Sequence, residues 1–181
     1  MKKICAVIGV ESKKSLNFFA LECFLQKWQE KEDILCNIIM LKNNTLEYCD
    51  ECGHCLIHKR CYKENNDLLK KYIDEIERSD ILIISTPVYA NNLSARLLNF
   101  VNRSRYLAET QQLSKKSGII LITTNATGAD FVKWYLSSLF NVLGINLINT
   151  ITLYDSEILD QNILEKKISE TINEVVNSRY Q

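Results

Sequence analysis

Residues 79–103 read SDILIISTPVYANNLSARLLNFVNR, and three features of this run define the fold class. Ile81–Ser85 (ILIIS) is the most hydrophobic run in the chain; short and rich in β-branched residues, it reads as a strand buried on both faces. The only proline, Pro87, follows in Thr86-Pro87-Val88-Tyr89-Ala90-Asn91-Asn92 and sets how the chain leaves the sheet. Ser94 then opens a helical segment, SARLLNFVNRSRYL.

The same strand–loop–helix pattern repeats on either side. Upstream, Lys3–Gly9 (KICAVIG) reads as a strand, Val10–Lys14 as a loop and Ser15 as the N-cap of a helix over Leu16–Glu30. In that helix Leu16, Phe19, Ala20, Cys23, Phe24 and Trp28 recur at helical spacing. Ile34–Met40 (ILCNIIM) is the second strand, completing a right-handed βαβ unit. Asn66 or Asp67 caps a helix through Arg78, with Leu68, Leu69, Tyr72, Ile73 and Ile76 on one face. Downstream, Ser117–Thr123 is the fourth strand, Thr124–Asp130 a polar loop, and Phe131–Leu143 a helix stopped by Gly144. Ile145–Leu153 is the fifth strand and Leu159–Asn177 the last helix. Trp28 and Trp134 lie on apolar helix faces and are expected in the core. The pattern predicts one doubly wound α/β domain over residues 1–181, with an irregular, cysteine-rich insertion at about 41–66.

In such sheets ligands sit beyond the carboxyl ends of the strands. Val10–Ser15, Thr86–Asn92 and Thr124–Asp130 would meet there, each preceding a helix whose first N–H groups favour an anion. The 22 basic and 22 acidic residues balance, so bulk charge points to neither nucleic acid nor an anionic membrane. No apolar run reaches the ~20 residues of a membrane span, and the apolar start reads as a strand rather than a signal peptide. The sequence holds no Ser-His-Asp pattern, P-loop or G-x-G-x-x-G fingerprint, and both histidines lie in the cysteine-rich stretch. Side-chain acid–base catalysis is therefore poorly supported, and no catalytic side chain is assigned.

That stretch, Cys49–Cys61 (CDECGHCLIHKRC), places Cys49, Cys52, Cys55 and Cys61 within thirteen residues. Seven cysteines in a chain of this size suit a reducing compartment, the cytoplasm, better than a disulfide framework. Two tight Cys-x-x-Cys steps and a fourth thiol favour a [4Fe–4S] cluster. The alternatives are a zinc site drawing on His54 or His58, which would make a zinc-stapled binding module, and free thiols with no metal. Cys5, Cys23 and Cys36 read as small buried hydrophobes.

With the run 79–103, the three loops and the four cysteines in this order, the chain resembles the flavodoxin-like NADPH-dependent FMN reductase family, in particular its iron–sulfur flavoprotein branch. The resemblance implies a five-stranded parallel sheet of order 2-1-3-4-5, FMN as cofactor, and a homodimer or homotetramer. It implies that Ser12, Ser15 and Asn17 hold the FMN phosphate. Thr86, Pro87, Val88, Tyr89, Ala90 and Asn91 would border the ribityl chain and ring, with Asn125, Ala126, Thr127 and Gly128 on the other side. Where the family usually carries Ser-x-Arg, this chain has Val10-Glu11-Ser12; a carboxylate in a phosphate loop is unfavourable unless it points away, and Lys13 and Lys14 would offset it. The implied function is an oxidoreductase passing electrons from NAD(P)H or ferredoxin, through FMN and a cluster, to a small-molecule or protein acceptor. A cluster-free NAD(P)H:quinone or flavin reductase is the alternative.

Overall fold

A computed structural model describes residues 1–177; residues 178–181 of the expected domain lie outside the described residues. Five parallel strands form one sheet: β1 (Lys2–Ile8), β2 (Ile34–Met40), β3 (Ile81–Pro87), β4 (Ser117–Thr124) and β5 (Asn146–Tyr154). Their spatial order is β2-β1-β3-β4-β5, the flavodoxin-like arrangement.

Side-chain alternation divides the core. Cys5 and Val7 of β1, Leu82 and Ile84 of β3, and Ile120 and Ile122 of β4 face one side. There they meet α3 (Leu69–Glu77), α4 (Ala95–Arg103), α5 (Leu107–Thr110) and α6 (Ala129–Val142). Ile4, Ala6, Ile8, Ile81, Ile83, Ile119 and Leu121 face the other. That side is covered by α1 (Leu16–Gln29), α7 (Asp155–Leu159) and α8 (Gln161–Asn177). Burial on both faces explains why the central strands carry unbroken aliphatic runs, each Leu or Ile contributing about 1.5–3 kcal/mol. The remaining helix, α2 (His54–His58), is a single turn inside the cysteine-rich insertion.

Two expectations about the core need correcting. Trp28 is fully buried, but Trp134 is 71% exposed. The buried stripe of α6 is Ala129, Val132, Leu136 and Phe140. Trp134 lies two residues from both Val132 and Leu136, about 200° round the helix, and so faces outward. In α1 the buried residues include Asn17, Phe18, Leu21, Phe24, Leu25 and Trp28, whereas Phe19 is 47% exposed. The segment 94–107 is not one helix either: Ser104 ends α4, its hydroxyl donating to the Phe100 carbonyl, and α5 follows as a short turn.

Candidate functional site

The three polar loops come together at the carboxyl end of the sheet, joined by specific contacts. The Gly9 amide donates to the Ser85 carbonyl at 2.9 Å, and the Val88 amide to Thr123 at 2.9 Å. Asn17 is buried between them: its amide donates to Thr123 Oγ1, and its carbonyl oxygen accepts from Ser85 Oγ, both at 3.1 Å. Its side chain thus ties α1 to β3 and β4 and is already engaged inside the protein. A β-carbon on Gly9 would lie 2.3 Å from Ser94 Oγ, so glycine lets the first loop approach the α4 cap. Gly128, at φ +92°, does the same for the other two loops: a β-carbon there would stand 2.4 Å from Asn91 Oδ1 and 2.8 Å from Asn91 Cα.

In the first loop, Ser12 Oγ accepts from the Lys14 amide at 3.1 Å, and Ser15 caps α1 by accepting from the Phe18 amide at 3.2 Å. Ser12, Lys13 and Lys14 are exposed. Glu11 turns aside onto Arg96 Nη2 at 2.8 Å, and Arg96 also holds the Asn43 side chain. This pair, not visible in the sequence, compensates the carboxylate locally.

In the second loop Thr86 and Pro87 are buried as the last residues of β3, and Tyr89, Ala90 and Asn91 are exposed. Tyr89 and Asn92 exchange backbone hydrogen bonds of 3.0 and 2.9 Å across a two-residue turn, with Ala90 at φ +48° and Asn91 at φ +59°. Two positive φ angles are the mark of a type I′ hairpin turn, which favours Asn-Gly. Alanine in the left-handed region costs about 1–2 kcal/mol, and such strain gathers at binding sites. Ala90→Gly is therefore expected to stabilise the protein by about 0.5–1 kcal/mol after the entropy of the extra glycine. Urea unfolding would show it as a higher midpoint at unchanged slope, and an unchanged midpoint would contradict the strain. In the third loop Asn125, Ala126 and Thr127 are exposed beside half-buried Gly128.

A second locus lies at the far end of α4. Cys49, Cys52, Cys55 and Cys61, all free thiols, line one pocket with Asn102, Arg103 and Arg105. Lys63 pins the near side of this arm through Glu47 at 2.9 Å and Asp50 at 2.6 Å. Behind the thiols sits Arg103, its side chain 1% exposed and paired at 2.8 Å with Asp67, itself 7% exposed. Arg103 Nη1 also donates to the Glu47 carbonyl at 2.7 Å, and Nε donates to Cys61 Sγ at 3.2 Å. Nη2 is buried with no hydrogen-bond partner among the described residues. An unmet charged donor in the interior costs upward of about 1–3 kcal/mol, which an anionic atom in the pocket would offset.

A tetrathiolate iron–sulfur group, negatively charged overall, fits that donor set. The void itself is about 30 Å³, room for one or two waters. At the outer edge of the pocket Cys52 is exposed, and no atom lies within 4 Å of a β-carbon built on Gly53. Among the described residues no three His, Cys, Asp or Glu side chains are arranged around a single ion position. His54 and His58 instead stack on one another at 4.2 Å. Of the remaining cysteines, Cys5 and Cys36 have thiols pushed up to about 12 by burial, which makes both poor nucleophiles.

Sequence reading missed the depth of Arg103 and its partner Asp67. The available signal was helical phase: Arg103 lies three residues beyond Phe100, beside the buried stripe Leu97, Phe100 and Val101.

The family model described as NADPH-dependent FMN reductase matches residues 2–159. The chain belongs to the NADPH-dependent FMN reductase family. An iron-sulfur flavoprotein of Archaeoglobus fulgidus is 27% identical over 59% of this chain and 48% of its own length. An FMN-dependent NADH:quinone oxidoreductase of Pelagibacter ubique is 28% identical over 64% of this chain and 65% of its own. The chain thus spans about half the length of the Archaeoglobus relatives it matches and 65% of the Pelagibacter one. Among solved structures, RosB with a bound formylriboflavin phosphate superposes with a TM-score of 0.72 at 15% identity, covering 96% of this chain and 77% of that one. An apo NADH:FMN oxidoreductase gives 0.70 at 18% identity, covering 95% and 89%. These solved structures share the flavodoxin-like fold of this chain. No helix among the described residues is long and apolar enough to cross a membrane.

Proposed function

We propose that this protein is an FMN-dependent oxidoreductase that draws electrons from NAD(P)H or ferredoxin and delivers them singly through a [4Fe–4S] cluster held by Cys49, Cys52, Cys55 and Cys61. The observation that carries this reading is that the four thiols line one pocket backed by a buried, incompletely satisfied arginine. When bound, FMN takes up electrons in pairs and releases them one at a time, and a thiolate-held cluster carries single electrons.

The chain's own residues then have separate tasks. Ser12, Ser15, Lys13 and Lys14 offer hydroxyl groups and positive charge to the FMN phosphate, with Glu11 held aside by Arg96. Tyr89, Ala90 and Asn91 form one wall for the ring, and Asn125, Ala126 and Thr127 the other, closed at the base by Gly128. Thr86, Pro87, Val88 and Asn17 hold those walls in register from inside the sheet edge. The two loci lie at opposite ends of α4, whose nine residues span roughly 12 Å. A groove lined by Ala95, Leu98, Asn99, Asn102 and Arg105 runs along that helix beside the cysteine arm.

The same reading makes the acceptor a small molecule or protein, places the protein in the cytoplasm, and expects a homodimer or homotetramer. Phe131, Trp134 and Val142 of α6, 66%, 71% and 56% exposed, support self-association, since large apolar groups in a row on one helix favour a partner surface. A cluster-free NAD(P)H:quinone reductase is the second reading, favoured by the small void between the thiols.

Anaerobic purification followed by flavin, iron, zinc and sulfide analysis, with assays of NADH, NADPH and reduced ferredoxin as donors, tests the proposal. Stoichiometric FMN with iron and sulfide is the expected result. Flavin with no iron or sulfide after anaerobic reconstitution selects the second reading, and zinc in place of iron selects a structural staple. A protein that takes up no FMN defeats both oxidoreductase readings.

A further inference from the structure

We infer that Arg103 is a positioning residue for the group bound by the four cysteines: its Nε–H bonds the Cys61 sulfur, its Nη2–H meets a second anionic atom of the occupant, and together they raise that group's reduction potential. The inference rests on the cluster reading given above and assigns a role to a residue that no cofactor ligand set includes.

Arginine presents five N–H donors in a fixed plane. Nη1 is fully occupied by Asp67 at 2.8 Å and the Glu47 carbonyl at 2.7 Å, which anchors the start of the cysteine arm. Asp67 is held in turn by the Glu47 and Leu69 amides, both donating to it at 2.9 Å. If anchoring were the whole task, a lysine reaching Asp67 would do it and leave no donor stranded. Instead the plane extends toward the thiols, with Nε 3.2 Å from Cys61 Sγ and Nη2 buried without a partner. Arg103 lines the same pocket as all four cysteines.

A neutral thiol is a weak acceptor, and a metal-bound thiolate is a strong one that shortens and strengthens such a bond. The direction of the effect follows from charge. Reduction adds a negative charge to the bound group, and N–H donors fixed beside it stabilise the reduced form more than the oxidised form. Removing them lowers the potential.

The experiment uses the full chain, reconstituted anaerobically with iron and sulfide, and compares the wild type with Arg103→Lys and with the double variant Arg103→Met/Asp67→Asn. Both changes leave the local net charge as it was, so the comparison reads the N–H donors rather than bulk charge. The double variant removes both buried charges together, which protects folding if the lysine is not accommodated. Redox titration followed by visible and paramagnetic-resonance spectra is expected to show equal iron and sulfide content. The equilibrium should shift about tenfold toward the oxidised form, ~59 mV lower for a one-electron couple. A loaded wild type and loaded variants with the same potential overturn the inference while leaving the cluster reading intact. A wild type that incorporates no iron and sulfide overturns the cluster reading, and the inference with it.

Discussion

Arg103→Met is expected to destabilise the folded protein by about 3–5 kcal/mol, the range found when one partner of a buried ion pair is removed. Asp67 is only 7% exposed, so its carboxylate would be left in the interior without the guanidinium at 2.8 Å that balances it. The Glu47 carbonyl would lose one of its two donors on α4 at the same time, keeping only Asn99 Nδ2 at 3.1 Å. For a domain of this size the loss corresponds to a melting temperature roughly 10 °C lower. Adding Asp67→Asn should recover a substantial part of it, because asparagine still accepts from the Glu47 or Leu69 amide and carries no charge. Thermal melts of the two single variants and the double variant form the check. Strictly additive losses would mean that the pair is not coupled.

Gly128→Ala is expected to cost about 2–5 kcal/mol and to impair FMN binding more than any exposed change in the three loops. Two penalties combine. A φ of +92° is foreign to an L-residue, at about 1–2 kcal/mol. The new methyl would also stand 2.8 Å from the Asn91 α-carbon and 3.0 Å from Val88 Cγ1, forcing the second loop away from the third, at about 1–3 kcal/mol. The Asn91 side chain can swing aside, but its backbone cannot without undoing the Tyr89–Asn92 turn. Fluorescence titration with FMN, together with urea unfolding, separates the effects. Wild-type affinity in a destabilised variant would mean that the contact between the loops does not shape the flavin site.

Most of the architecture was legible because a doubly wound sheet advertises itself. Ile81–Ser85 and Ser117–Thr123 are aliphatic on both faces, and only central parallel strands need that. The strand order came from the resemblance rather than from periodicity, which says nothing about neighbours in space. Helix faces were less secure. Trp134 and Phe19 are large aromatics at helical spacing, yet phase relative to Val132 and Leu136, or to Leu21 and Phe24, puts them outside. The turn at His54–His58 left no periodic signal because one turn has no second repeat. In the candidate site, spacing grouped the cysteines, whereas the partners that make the site specific are distant in sequence. Arg96 reaches Glu11 across 85 residues and Arg103 reaches Cys61 across 42. Only the folded chain brings such pairs together.

Helix α4 carries a further consequence. Its first turn is clamped by Ser94 against Gly9, and its last turn presents Arg103 to the thiols. Each residue of an α-helix advances the rotation by about 100°. One residue gained or lost between Ser94 and Arg103 would swing the guanidinium out of the cysteine pocket and bring an uncharged neighbour, Asn102 or Ser104, toward it. The length of this helix is therefore a gauge: α4 must keep its count for both loci to stay in phase.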